Sequence, residues 1–225
     1  MEDIDAIAAL QDPVRRRLYE YVVAQGREVG RNEAAEAVGV ARTLAAHHLD
    51  KLAGVGLLES GSRRLTGRSG PGAGRPAKVY SAARDERSVS LPARDYRTAA
   101  ELLAETAEQA GLDAQLFATA RRRGEAERGS AAPCKSVEEA MGMLAARGYA
   151  PHLEDADEDD ATGPRVVRMR NCPFHVVAER FPPLVCGMNL ALLEGLLGDG
   201  QVTARMDARP GECCVVLEDS KTNSR

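Results

Sequence analysis

At 225 residues, with 44% hydrophobic and 28% charged side chains, the chain can bury one large core or two small ones, and with 4% aromatics and no Trp those cores must be aliphatic. No apolar run reaches about 18 residues, which excludes a membrane-spanning helix, and the acidic start lacks the basic segment of a secretory signal, so a cytoplasmic protein with no membrane partner is expected. The net charge of −4 hides an asymmetry: residues 1–94 carry 15 Lys and Arg against 12 Asp and Glu, residues 95–225 carry 15 against 22.

Ile4, Ile7, Leu10, Val14, Leu18, Tyr21 and Val22 recur at helical spacing, and Asp12-Pro13 breaks the run and restarts it as N-cap and first helical residue. The spacing predicts a short helix and then a longer one ending near Gly26, a second helix over 31–38 stopped at Gly39, and a third over 42–52 stopped by Gly54 and Gly56. Leu57-Leu58-Glu59 and Lys78-Val79-Tyr80 read as strands around a mobile Gly, Ser, Arg and Pro-rich loop. Residues 61–80 hold Arg63, Arg64, Arg68, Arg75 and Lys78 with no acid, a concentration that suits a nucleic-acid surface.

Beyond a polar connection, a helix is expected over 95–121, its apolar stripe running through Ala99, Leu102, Leu103, Thr106, Ala107, Ala110, Leu112, Leu116 and Phe117 across an interruption at Gly111. The remainder reads as α/β: a helix over 136–147 opened by a Ser136/Glu139 capping box, extended segments at 149–154 and 165–170, helices near 173–180 and 182–197, and strands at 201–207 and 213–218. The acidic run from Glu154 to Asp160 reads as a solvated hairpin loop, and the tail 219–225 as disordered.

Helix, helix, tight turn, helix, strand, basic loop, strand is the order of a winged helix-turn-helix. In Asp12–Leu18, in Ala34–Leu52 and in the wing Gly72–Tyr80, the chain resembles the winged helix-turn-helix regulators of the ArsR-like type. The resemblance implies a homodimer that binds double-stranded operator DNA, with a helix after the wing pairing the protomers. In the third helix Val40, Leu44, Leu49 and Leu52 are expected to face inward. Arg42, Thr43, His47 and Lys51 then face the major groove, and one of His47 and His48 serves as a buried spacer. Arg63, Arg64, Arg68 and Arg75 of the wing are expected along the backbone, with Arg75 suited to a narrow minor groove.

Four of the five cysteines, Cys172, Cys186, Cys213 and Cys214, fall in the last 54 residues, and Cys172 forms a C-x-x-H pair with His175. In a reducing compartment this favours metal or redox chemistry over disulfides. Cys172 and Cys186 sit near helix starts, which favour thiolates. Since neighbouring strand residues face opposite ways, one of Cys213 and Cys214 is expected to face a common site. This half resembles the SufR-type regulators, winged-helix repressors that hold an iron–sulfur cluster. The resemblance implies Cys172, Cys186 and one of Cys213 or Cys214 as ligands, although that family tends to carry C-x-C where this chain has an adjacent pair.

Four readings stay open: an iron–sulfur cluster on three cysteines and a fourth ligand such as His175; zinc on Cys172, His175, Cys186 and Cys213 or Cys214; a metal-free thiol switch through Cys213-Cys214 or Cys172/Cys186; and cysteines buried as small apolar side chains. Cys134 reads as a bystander. A domain that binds an organic effector is the rival from another class. Catalysis is not expected, because the glycines at 70–74 lack the Lys-Ser/Thr of a phosphate loop and no Gly-x-Ser-x-Gly elbow occurs. The expected whole is an α+β chain: a winged helix-turn-helix at 1–92, a linker and dimerisation helix at 93–128, and a cysteine-containing α/β sensor domain at 129–225.

Overall fold

Short-range chemistry sets most element boundaries in the computed structural model, which describes residues 2–63, 76–83, 85–154 and 164–219. The fold is mixed α+β, with two small antiparallel sheets in two compact units, 1–94 and 95–225. The loop 64–75, the acidic residues 155–160 and the tail from 220 onward lie outside the described residues, and with them Arg64, Arg68 and Arg75.

The first unit runs α1 (Glu2–Ala9), α2 (Pro13–Gln25), β1 (Val29–Gly30), α3 (Arg31–Val38), α4 (Arg42–Gly54), β2 (Leu58–Arg63) and β3 (Ala77–Ala82). Asp12 caps α2, accepting from the amides of Val14 and Arg15 at 2.9 Å, with Pro13 in the first turn. Gly26 and Gly39 end α2 and α3 with φ of 61° and 71°, and a Cβ on Gly39 would meet nothing within 4 Å. Gly39 is thus required for its left-handed backbone and not for space.

Leu18, Val22, Ala45, Leu49, Leu52 and Tyr80 close the core beneath the three helices. Each wholly buried Leu or Val contributes about 2 kcal/mol of apolar burial. The sheet order is β1-β3-β2. Strand β1, two residues long, has no signal of its own; it exists because Val29 and Gly30 pair with Tyr80 and Val79.

One expectation for α4 is corrected. Leu44 is 41% exposed, while Ala45 and His48 turn inward with Leu49 and Leu52. Of the two histidines, His48 is the buried one: Arg15 Nε donates to its Nδ1 at 3.3 Å.

The second unit runs α5 (Tyr96–Gln109), α6 (Asp113–Arg128), α7 (Val137–Ala145), β4 (Pro151–Leu153), β5 (Val166–Met169), α8 (His175–Ala178), α9 (Pro182–Leu197), β6 (Val202–Met206) and β7 (Val215–Asp219). The helix expected over 95–121 is two helices, because Gly111 takes φ of 63°. Helix α6 packs within its own unit, tightly against α9. A Cβ on Gly124 would stand 2.3 Å from the Leu192 carbonyl oxygen, and one on Gly195 would stand 2.2 Å from that of Arg121, so the backbones meet across paired glycines.

Helix α5 buries no residue completely. Ala104 and Ala107 lean on Phe181, Leu184 and Val185. Leu102 and Leu103, from the expected stripe, are 59% and 72% exposed. The four-stranded sheet, ordered β4-β5-β7-β6, is antiparallel at every pairing. Strands β6 and β7 are chain neighbours joined by a short connection with no helix in it, as an antiparallel pair allows.

Candidate functional site

The thiols lie where two apolar clusters of the second unit border each other. Cys172 and Cys213 pack with Val167, Met169 and Leu193, whereas Cys186 and Cys214 pack with Phe181, Leu184 and Val185. Cys172 and Cys213 are close enough to shift one another's ionisation, Cys186 is shifted in the same way by Cys214, and all four are free of disulfides. The four are therefore gathered two and two. Cys213 and Cys214 each stand beside one of the other two thiols. They immediately precede β7 and enter different apolar clusters. Their backbone is tied at both sides: the Cys213 amide donates to the Met169 carbonyl at 2.9 Å, and the Cys214 carbonyl accepts from Asp207 at 2.8 Å.

Cys172 and Cys213 are shifted in opposite directions. The hydrogen bond from Cys213 holds the Cys172 thiol below its usual range, helped by the Phe174 amide and opposed by burial. Cys213 is pushed up, by its hydrogen-bonding interaction with Cys172 first and by burial second. Cys186 is pushed up to about 12 by burial and by Cys214. Its place near the start of α9 therefore does not make it a thiolate. It is the fifth residue of that helix, past the first turn where the dipole acts. Cys134 stands apart, its Sγ on the Ser136 carbonyl at 3.4 Å.

His175 is not among the thiols' hydrogen-bonding partners. Its side chain is 60% exposed and its Nε2 lies 3.2 Å from Glu179 Oε1 on the same short helix, where the C-x-x-H spacing alone suggested a shared ligand.

The donor set is four sulfurs, chemistry that suits iron–sulfur clusters and zinc alike. Among the described residues, no three His, Cys, Asp or Glu side chains are gathered closely enough to hold one metal ion as they stand. The residues fit a thiolate-bound group by chemistry and in pairs.

Two polar features around the thiols escaped sequence reasoning. The first is Asn189, 1% exposed, which donates from Nδ2 to Cys213 Sγ at 3.4 Å and accepts from the Tyr149 hydroxyl at 2.5 Å. A signal existed: Asn189 lies three residues after Cys186, on the same helical face, in an otherwise apolar helix. The second is Arg168 on β5, 2% exposed, held by Glu154 at 3.0 Å, by Asp207, and by Glu212 at 3.6 Å. Glu212 immediately precedes Cys213, so this guanidinium fastens the loop that presents two thiols. Glu154, read as part of a solvated loop, instead pairs with Arg168 and Arg209.

In the first unit Arg42, Thr43, His47 and Lys51 are all exposed along α4, on the face away from the core. Arg63 ends β2 at 65% exposure, 3.4 Å from Glu28. Asp50, near the end of α4, accepts from Lys78 at 2.7 Å, Tyr80 at 2.6 Å and Arg31 at 2.8 Å. Burial works to raise its carboxyl, but these three donors outweigh it and hold the group at about 2. Through Asp50, α4 is tied to α3 and β3 at a fixed angle. Comparison with known proteins returned no match to a family model, a curated protein or a solved structure.

Proposed function

We propose that the chain is a DNA-binding transcriptional regulator, a repressor in sense, whose second unit carries a thiolate-bound metal centre that governs DNA binding. The observation that carries the reading is the convergence of four cysteines, from three separate stretches of the chain, into two pairs whose members influence one another's ionisation. An iron–sulfur cluster is the first assignment, because such clusters take four thiolates and two irons divide them two and two. Cys172 and Cys213 would hold one side, Cys186 and Cys214 the other. When bound, the cluster would supply a redox-labile centre whose loss is chemically easy. An all-cysteine set also suits zinc, the second assignment.

The first unit supports the DNA half. Its element order and three-stranded sheet suit a winged helix-turn-helix, with α4 as the recognition helix and β2–β3 as the wing. Arg42 can bond a guanine edge bidentately, while Thr43 and Lys51 hold phosphates. His47 lies on the same exposed face, and Arg63 starts the wing beside the backbone.

The reading includes a homodimer paired through α5, whose Leu102 and Leu103 lie exposed. Metal binding favours whichever arrangement places the four sulfurs; for structural zinc this amounts to about 10–16 kcal/mol. A few kcal/mol of it suffices to bias a dimer between two half-site spacings.

Protein purified without oxygen tests the proposal by visible spectrum, iron, sulfide and zinc content, and operator affinity before and after metal removal. Brown protein with iron and sulfide, losing or gaining affinity on removal, is expected. Colourless zinc protein selects the second assignment. Metal-free protein, or equal affinity in both states, overturns the sensing half and leaves an organic effector as the rival.

A further inference from the structure

Helix α9 is apolar on every side except at Asn189 and Glu194, and Asn189 is wholly enclosed among its leucines. An enclosed amide costs free energy unless each polar atom finds a partner. Both ends do: Oδ1 takes the Tyr149 hydroxyl, and Nδ2 donates to Cys213 Sγ. In this arrangement the hydroxyl donates to the amide oxygen, and the NH2 group is aimed at sulfur.

The second bond is unequal to the cost in the thiol state. A neutral thiol is a weak acceptor, whereas a thiolate accepts strongly. A leucine of similar volume would fill the position without a desolvation cost. The amide therefore fits a sulfur that carries negative charge in the working protein, as a metal-bound thiolate does.

We infer that Asn189, oriented by the Tyr149 hydroxyl, is a positioning residue of the metal centre that stabilises negative charge on the Cys213 sulfur. The inference rests on the metal-centre reading above. It extends that reading from the ligands to the groups behind them, where partners of this kind set ligand orientation and basicity.

Oxygen-free titration of the full-length apoprotein with cobalt(II) tests it, because the sulfur-to-cobalt charge-transfer band reports the electron energy of the thiolates. Asn189→Leu is expected to weaken cobalt binding about 10- to 100-fold. The band should also move to lower energy, since sulfur without its N–H donor gives up electrons more readily; a purely packing role would leave the band where it is. Tyr149→Phe, which removes only the hydroxyl that orients the amide, is expected to move the band the same way by less. If Asn189→Leu does not fold, Tyr149→Phe alone decides.

An unshifted band in the folded variants overturns the inference and leaves the metal centre in place. If the wild-type protein shows no sulfur-to-cobalt band at all, the metal-centre reading falls and takes the inference with it.

Discussion

Each unit is organised around one charged side chain, and the two are opposites. In the first, the Asp50 carboxylate gathers Arg31, Lys78 and Tyr80. In the second, the Arg168 guanidinium gathers Glu154, Asp207 and Glu212. Burial decides what each can do. Asp50 is 44% exposed, so water screens its ion pairs and they fix the direction of α4 at little net energy. Arg168 is 2% exposed, so its partners replace water entirely and losing them is costly. An exposed node can orient a binding helix while leaving it free to meet a ligand. A buried node commits the backbone that carries the thiols.

Removing the guanidinium should have the largest effect. Arg168→Leu strands three carboxylates, and about 3 kcal/mol of stability is expected to go, the low end for a broken buried pair because those carboxylates keep 21–30% exposure and can rehydrate. Urea unfolding measures it; a loss below about 1 kcal/mol would put Arg168 on the same footing as a surface pair.

Gly195→Ala comes next. The added methyl meets the α6 backbone at 2.2 Å, and overpacking of this kind costs about 1–3 kcal/mol. An unchanged midpoint would mean that α6 and α9 are not held together in solution.

Asp50→Asn is expected to cost under about 1 kcal/mol near neutral pH after solvent screening. Its sign against pH is fixed: the folded carboxyl lies at about 2 against an ordinary 3.8, so its contribution is present above 3.8 and lost as pH falls through about 2. The stability gap between wild type and Asp50→Asn should therefore close between pH 4 and pH 2, and a gap constant over that range would contradict the ion-pair account.

Smallest in stability is Lys51→Ala, an exposed change within about 0.5 kcal/mol. Its effect should appear in DNA binding alone, as a salt slope flatter by about one unit. If Asp50→Asn lowers operator affinity far more than its stability change explains, orientation of α4 is the reason.

How much was legible depends on whether a signal was local. Asp12-Pro13, Gly26 and Gly39 mark the ends of helices through chemistry within three or four residues, and the structure places those ends there. Gly111 marked an interruption but not its size, because a left-handed residue can kink a helix or end it, and only the packing of α6 on α9 through Gly124 and Gly195 separates the cases. Leu44 and Ala45 were exchanged because both fit an apolar pattern, and the packed helix puts Ala45 on the buried face with Leu49 and Leu52, four and seven residues on. The cysteines drew attention by their density near the end of the chain. The C-x-x-H spacing singled out His175, which the structure pairs with Glu179 instead. Asn189, Tyr149 and Arg168 carry no motif.

By itself the amino-acid order determined most of the helices and strands, where several helices are capped, and that sulfur chemistry concentrates near the end of the chain. Those features depend on dihedral preference, capping and composition, which act over a few residues. Tertiary structure decided that the thiols meet as Cys172 with Cys213 and Cys186 with Cys214, that an amide stands behind one of them, and that a buried guanidinium holds their loop. Such contacts join residues 24 to 44 positions apart. Their energies come from burial and charge in space, which no spacing along the chain encodes.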